Sequence, residues 1–274
     1  MKILILGDVM GRSGRLAVKK NLNKIIKENN INFTVLNGEN SADDGKGITN
    51  LIAEEFFQEG VDVITSGNHI WDQKEIVEHI KLDKRLIRPC NFAEGTPGKG
   101  YAIFEMKNGE SIVVINVMCR LFMDSIDDPF KSIADLLDLI NSKVNNAIIL
   151  VDVHGESTSE KMAIAHFLDG KVSGVFGTHT HIPTSDLHFL EKGTFYQTDL
   201  GMCGDYNSVI GMKKELSIKR FTQKHLKTRL EPADGEGTLC GTILDIESKN
   251  VKAFEQIILG GKLQQDNNGR SLKI

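Results

Sequence analysis

Five short stretches of this chain place carboxylate, amide and imidazole groups directly after apolar runs. They are Asp8 in "LILGDV", Glu39 and Asn40 in "VLNGEN", Asn68 and His69 in "ITSGNH", His154 in "ILVDVHGE", and His179 with His181 in "GVFGTHTH". No thiolate belongs to the set. Carboxylate oxygen, amide oxygen and imidazole nitrogen together suit Mn, Fe, Zn or Co, and the imidazole content is too high for calcium or a simple magnesium site. Seven ligands drawn from such a set exceed the shell of one ion. Two ions about 3.5 to 4 Å apart, sharing one carboxylate, would use them all. Two divalent ions bring four positive charges, Asp8 and Glu39 remove two and a bridging hydroxide one more, so the centre stays cationic. A cationic centre favours a phosphate anion and the charge that builds up as it reacts.

Convergence of these groups requires a particular arrangement of elements. Apolar runs rich in Val and Ile fall at 3–9, 33–38, 61–66, 112–117, 147–153 and 172–177, and each reads as a strand. Between several of them, apolar residues recur at three- and four-residue spacing over 16–26, 48–57, 73–80, 133–140 and 161–168, which predicts helices. Alternating strand and helix predicts an α/β fold with a largely parallel sheet. In such sheets ligands bind at the carboxyl ends of the strands, where all five polar stretches lie. Past about Gly193 the helical periodicity fades, and "GTLCGTILDIES" with "AFEQIIL" predicts an antiparallel pair that closes the fold. No repeat and no Pro- or Ser-rich linker interrupts the chain. The expectation is one domain over 1–262, with a flexible tail over 263–274.

Taken singly, each polar group has a structural explanation: an Asp or Asn after a strand caps or turns the backbone, and a His commonly sits satisfied in a core or on a surface. His79, His166, His188 and His225 are read that way. The coincidence of five strand ends is what favours a site.

Composition narrows the classes further. The chain has 274 residues, 26% of them charged, and a formal net charge of −4. That charge argues against a binder of long DNA, and no apolar run is long enough to span a membrane. Cys90, Cys119, Cys203 and Cys240 are scattered and read as reduced, and "MKILILGD" lacks a signal-peptide core, so a cytoplasmic protein is expected.

The motifs "GD", "GEN", "GNH", a single His and "GTHTH", in that order, resemble the calcineurin-like metallophosphoesterases. The general pattern there is Asp-x-His, Gly-Asp, Gly-Asn-His, His and Gly-His-x-His. Two departures are present: Met10 stands where the first motif has its His, and Glu39-Asn40 replaces the bridging Asp. With "DGKGIT", "GNHIWDQKEI", "IDDPF", "STSEK" and "YQTDLGMCGDYNSVIGMKKE", these departures resemble the bacterial YmdB-type branch, phosphodiesterases active on 2',3'-cyclic nucleotides. The resemblance covers nearly the whole chain to about Gly261. It implies a four-layer α/β/β/α fold with two central sheets flanked by helices. It implies two metal ions per subunit, Fe or Mn ahead of Zn or Co, and a small cyclic nucleotide or other phosphoester as partner, in a homo-oligomer. Position by position, Glu39 would bridge the metals, with Asp8, Asn40 and His181 on one ion and Asn68, His154 and His179 on the other. His69 would be the proton donor, opposite in-line attack by metal-bound hydroxide, with a phosphate clamp as its alternative role.

Three alternatives stay open at this stage: a phosphomonoesterase or nucleotidase, a metal-dependent regulator that binds RNA or a partner with weak hydrolysis, and a dinucleotide-binding fold. The last rests on glycines 7, 11 and 14, which fit neither G-x-G-x-x-G nor a P-loop. The basic segment Lys213 to Arg229 is read as a solvated face, with a phosphate-attracting patch as the alternative. The loop Met118 to Pro129 reads as a lid or an oligomer contact, and Arg12 and Asp44 receive no role.

Overall fold

Strand β1 (Lys2–Val9) is buried on both faces, and its side chains divide by parity, as successive residues of a strand must. Leu4 and Leu6 join an apolar cluster beneath α1 (Gly11–Asn29), α2 (Asn50–Gln58) and α3 (Ile76–Leu82). Ile3 and Ile5 face the other way, into a cluster that also holds Val35 of β2 (Phe33–Asn37) and Val63 of β3 (Val63–Thr65). That second cluster continues with Ile112 and Val114 of β5 (Ser111–Met118), Leu150 of β6 (Ile148–His154) and Phe176 of β7 (Gly174–Thr178). The opposite faces of β5 and β6, through Val113, Ile115, Val151 and Val153, share a third cluster with Ile133 and Leu137 of α4 (Pro129–Lys143) and Ile164 of α5 (Thr158–Leu168).

This computed structural model describes residues 1–263 apart from 224 and 226. It is a mixed α/β structure with two six-stranded mixed sheets and six helices among the described residues. The remaining strands are β4 (Tyr101–Glu105), β8 (His188–Phe189), β9 (Phe195–Gln197), β10 (Met202–Cys203), β11 (Leu239–Glu247) and β12 (Asn250–Leu259), and the remaining helix is α6 (Lys214–Thr222). The first sheet runs β12-β11-β1-β2-β3, with β10 also paired to β1, and the second runs β4-β5-β6-β7-β9-β8. The expected antiparallel closing pair is present as β11 and β12.

Two expectations need correction. The sheet is not largely parallel as one layer: β11 pairs antiparallel with β1, β4 with β5 and β8 with β9, so both sheets are mixed. Helical structure also persists past Gly193, in α6, whose mostly polar sequence leaves little apolar periodicity to detect. The tail expected over 263–274 lies outside the described residues beyond Leu263, which ends a 3₁₀ turn. No described helix is long and apolar enough to cross a membrane.

Helix ends follow from local chemistry. Thr49 caps α2 by accepting from the Ile52 N–H, and Asp128 caps α4 through Phe130 and Lys131, with Pro129 at the first helical position. Asn30 ends α1 in the left-handed conformation at φ 54°. Gly7 is needed for a different reason. A Cβ there would lie 1.7 Å from the Gly201 carbonyl oxygen, in the segment just before β10. Gly7→Ala is expected to lower stability by about 1–3 kcal/mol through overpacking, read as a fall in the urea midpoint at unchanged slope.

Candidate functional site

The carboxyl ends of strands from both sheets meet, and the eight candidate site residues fall in the seam. Asp8 is the penultimate residue of β1, Glu39 and Asn40 follow β2, and Asn68 and His69 follow β3. From the second sheet, His154 ends β6, while His179 and His181 follow β7. Asp8, Glu39 and His154 are fully buried, and Asn40 and His181 nearly so.

Glu39 Oε1 lies 3.0 Å from His154 Nε2. The same nitrogen is 3.2 Å from Asn68 Oδ1 and 3.1 Å from His179 Nδ1. Asn40 Nδ2 is 3.1 Å from Glu39 Oε1 and 3.3 Å from His181 Nε2, and the His179 N–H donates to both Asp8 oxygens at 3.1 and 3.2 Å. A Cβ on Gly67 would come within 2.3 Å of both Glu39 Oε2 and His154, so only glycine lets the third loop run this close.

Two of the three imidazoles are hydrogen-bonded through their other nitrogen, and the third has a carboxylate facing it. His154 Nδ1 faces Thr178 Oγ1 at 2.9 Å, His181 Nδ1 faces the Ile210 carbonyl at 2.8 Å, and His179 Nε2 faces Glu156 Oε2 at 3.4 Å. The Thr178 hydroxyl in turn donates to Asp152 Oδ1 at 2.7 Å. Acceptors on the outer nitrogens leave the inner nitrogens as lone-pair donors, the arrangement that metal-binding histidines show.

The donor set fits a metal centre on a second ground. One proton on His154 Nε2 cannot satisfy Glu39, Asn68 and His179 together, whereas a cation among them serves all four groups. Ligand atoms of Glu39, His154 and His179 all lie within 4.8 Å of one another. The Asn40 amide needs only a flip about its terminal torsion to present oxygen instead of NH₂.

Ionisation reflects the crowding. Burial raises the Asp8 carboxyl to about 6, with His181 and His154 offsetting part of the rise. Burial acts the same way on Glu39, but the charge and hydrogen bond of His154, with His69 and His179 beyond, bring it down to about 2. Burial would lower His154, yet Glu39, Asp8 and Asp152 hold it up at about 9. His179, desolvated and beside His154, falls to about 3.

His69 stands apart from the other imidazoles. Its backbone N–H donates to Glu39 Oε2 at 3.2 Å, while its ring Nδ1 contacts Asp72 Oδ2 at 2.8 Å. The ring is partly exposed, and its Nε2 is left available toward solvent.

Sequence reasoning missed the groups behind these residues. Asp152 shares a face of β6 with His154, a two-residue spacing visible in "VDVHGE", and accepts from Thr65, Thr178 and Asn37. Lys161 is fully buried, with Nζ 2.9 Å from Asp199 Oδ2 and 2.6 Å from the Thr178 carbonyl. Asp199 also accepts from the Thr180 N–H and hydroxyl, between His179 and His181. Those two histidines sit at φ 92° and 66°, in the left-handed region that costs non-glycine residues energy, so the Lys161–Asp199 pair anchors a strained loop. No short-range signal marks Lys161, because its burial depends on tertiary packing.

The profile of the YmdB-like protein family matches residues 4–257. The chain belongs to the YmdB-like family. The 2',3'-cyclic-nucleotide 2'-phosphodiesterase of Bacillus subtilis is 43% identical over 261 residues, covering 94% of this chain and 97% of that protein. A hypothetical protein from Thermus thermophilus superposes with a TM-score of 0.89 at 40% identity, over 95% of this chain and 100% of that one. A structure described as a novel phosphatase from Mycoplasma pneumoniae gives 0.88 at 33% identity, over 95% of this chain and 93% of that one. The YmdB-like match extends through the loops that carry Met10 and Glu39-Asn40 as well as the histidine motifs.

Two measurements test this geometry. Lys161→Met strands Asp199 in a buried position and is expected to cost about 3–5 kcal/mol in chemical denaturation. In metal-free protein the raised His154 holds a proton below about pH 9, and metal uptake must expel it. Calorimetric titration with Mn²⁺ between pH 6.5 and 8.5, in buffers of different ionisation enthalpy, is expected to show about one proton released and an affinity rising up to tenfold per pH unit. An affinity independent of pH would contradict the assignment.

Proposed function

We propose that this protein is a dinuclear metal-dependent phosphodiesterase that hydrolyses small cyclic nucleotides of the 2',3'-cAMP type. The observation that carries the reading is the set of three histidines, each with an acceptor facing its outer nitrogen, whose inner nitrogens converge with Asn68 and with the buried Glu39 and Asn40. The activity for which the Bacillus subtilis relative is named supports the choice of substrate.

In this reading Glu39 would bridge two ions, with Asp8, Asn40 and His181 holding one and Asn68, His154 and His179 the other. The ions would be Fe or Mn in preference to Zn or Co, as the resemblance to the YmdB-type branch implies; oxygen and imidazole donors without thiolate suit all four. Bound there, they would supply Lewis acidity to the phosphoryl oxygens and a nucleophile at neutral pH. The chain's own residues do the rest. Asp152 through Thr178, the Ile210 carbonyl and Glu156 fix the imidazole orientations, and the Lys161–Asp199 pair holds the His179–His181 loop. Asp72 holds the His69 ring by Nδ1, so that Nε2 can donate its proton to the departing ribose oxygen.

The same reading takes the two sheets and their helices as a four-layer α/β/β/α sandwich in one domain, supported by three separate apolar clusters. It places the enzyme in the cytoplasm, where four free cysteines are stable, as a homo-oligomer for which the exposed Leu121 and Phe122 are contact candidates.

A panel of 2',3'-cAMP, 3',5'-cAMP and simple phosphomonoesters tests the substrate class, and clear preference for monoesters would replace the diesterase with a phosphatase, as the Mycoplasma pneumoniae relative is described. Glu39→Gln is expected to lose metal by elemental analysis and activity with it, at unchanged circular dichroism. His69→Ala should keep its metal and lose about 10²–10⁴-fold in kcat on 2',3'-cAMP, and far less on a diester with a nitrophenol leaving group. Equal losses on both would leave His69 a phosphate clamp.

A further inference from the structure

Beside the metal-ligating seam runs a groove of about 1690 Å³, well beyond the roughly 300–1,000 Å³ that small-molecule sites occupy. Its walls come from loops that also carry site residues. Arg12 follows Gly11, whose N–H donates to the Asn40 carbonyl at 2.8 Å. Lys46 is tied to the His69 loop because Gln73 Nε2 donates to its carbonyl at 2.9 Å and to Asp44 at 3.2 Å. Met212, paired with Val209 and Pro232, continues from Ile210, whose carbonyl holds His181. The groove is thus walled by loops tied directly to those that carry Asn40, His69 and His181.

The charge of the groove opposes that of the chain. Among the described residues, seven Lys or Arg and four Asp or Glu line it, a net of +3 in a protein whose formal charge is −4. Two of the acids are already paired, Asp43 with Arg15 and Glu231 with Lys213. Arg12, Lys46 and Arg220 are exposed and make no ion pair among the described residues. Next to Arg220, at the end of α6, Phe221 presents its ring to the groove at 70% exposure. An aromatic ring left in water beside unpaired guanidinium groups is costly for folding and useful for one class of ligand. Single-stranded nucleic acids are held by such combinations, with cations along the phosphates and a ring under a base.

We propose that the groove binds the 3' segment of an RNA strand and delivers its terminal 2',3'-cyclic phosphate to the metal centre, so that the preferred substrate is an oligoribonucleotide rather than a free nucleotide. This rests on the phosphodiesterase reading above and adds where the rest of the substrate lies. The last nucleotide occupies the seam, Arg12 and Lys46 meet the next phosphates, and Phe221 with Arg220 holds a base further along. Hydrolysis opens the cyclic phosphate by adding water across one P–O bond, and the strand leaves with a phosphomonoester end and a free ribose hydroxyl. The reactions that supply this substrate are those that cleave RNA by attack of its own 2'-hydroxyl.

The test compares 2',3'-cAMP with a hexaribonucleotide ending in a 2',3'-cyclic phosphate, using metal-loaded enzyme at several salt concentrations. The expected KM for the hexamer is at least tenfold lower at low salt. Its kcat/KM should fall with salt at a log–log slope of about −2, as three neutralised single-strand phosphates require. The variants Phe221→Ala and Arg220→Ala, both at exposed positions, should each raise the hexamer KM about five- to tenfold and leave kcat/KM for 2',3'-cAMP within twofold. Equal kcat/KM for the two substrates would overturn the proposal, as would variants that lower both alike or a hexamer refused while 2',3'-cAMP is turned over. Anisotropy with a labelled hexamer bearing a 3'-phosphate decides the matter even if no diester is hydrolysed. Binding lost in Phe221→Ala supports the groove, and no binding, or equal binding of a poly-glutamate peptide, refutes it.

Discussion

The contact between Glu39 and His154 is the constraint on which the rest of the structure depends. It joins a residue following the first sheet to one ending the second, at 3.0 Å and with no exposure on either side. Removing two such groups from water costs several kcal/mol each, and their mutual attraction repays this only when every remaining lone pair is also satisfied. Glu39 Oε2 accordingly accepts from the His69 N–H, Oε1 accepts from Asn40, and His154 Nδ1 passes its hydrogen bond through Thr178 to Asp152. In the metal-free protein, truncating one partner would leave the other as an uncompensated buried charge, and a cation bound between them would impose the same constraint. The pair therefore fixes how the carboxyl edges of the two sheets are set against each other.

The apolar cluster between the sheets performs the same registration from behind. Ile3, Ile5, Val35 and Val63 meet Ile112, Val114, Leu150 and Phe176, all at or near zero exposure. Such packing is non-directional, so it brings the faces together without choosing a register. Register comes from directional polar contacts at the strand ends, where Asn37 Nδ2 reaches Asp152 Oδ2 at 3.1 Å and the His179 N–H reaches Asp8. Binding strength and geometry thus come from different parts of the same seam, and the strained φ values of His179 and His181 sit where the polar network is densest.

The placement of the candidate residues was legible because they follow strands buried on both faces, which are written as continuous Val and Ile runs. The expected strands at 3–9, 112–117 and 147–153 coincide with β1, β5 and β6 to within a residue or two. Strand order was not legible. The antiparallel placement of β11 against β1 joins residues more than two hundred positions apart, and nothing local in "GTLCGTILDIE" encodes that neighbour. Lys161 illustrates the limit from the other side. On the i, i+3, i+4 pattern it opens the apolar face of α5 with Ile164, Ala165 and Leu168, yet a lysine there only makes sense once Asp199, thirty-eight residues on, is known to wait beneath it.

Met10 links these observations. At a position where the wider metallophosphoesterase pattern has a histidine, the thioether is 2% exposed and lies beneath three glycines. A Cβ at Gly45 would come within 2.6 Å of its Cε and one at Gly211 within 2.4 Å of its Cγ, while Gly204 closes on its Cβ at 3.1 Å. An imidazole in this apolar slot would need a polar partner that the glycines cannot give, whereas an unbranched thioether fills it without one. In the proposed metal centre the place of that nitrogen would fall to solvent or to the Asn40 amide, which reaches Glu39 and His181 from the next loop. Met10 thus packs directly beneath the Gly45 and Gly211 loops, and these are the loops that carry Lys46, Met212 and Lys213 to the wall of the groove.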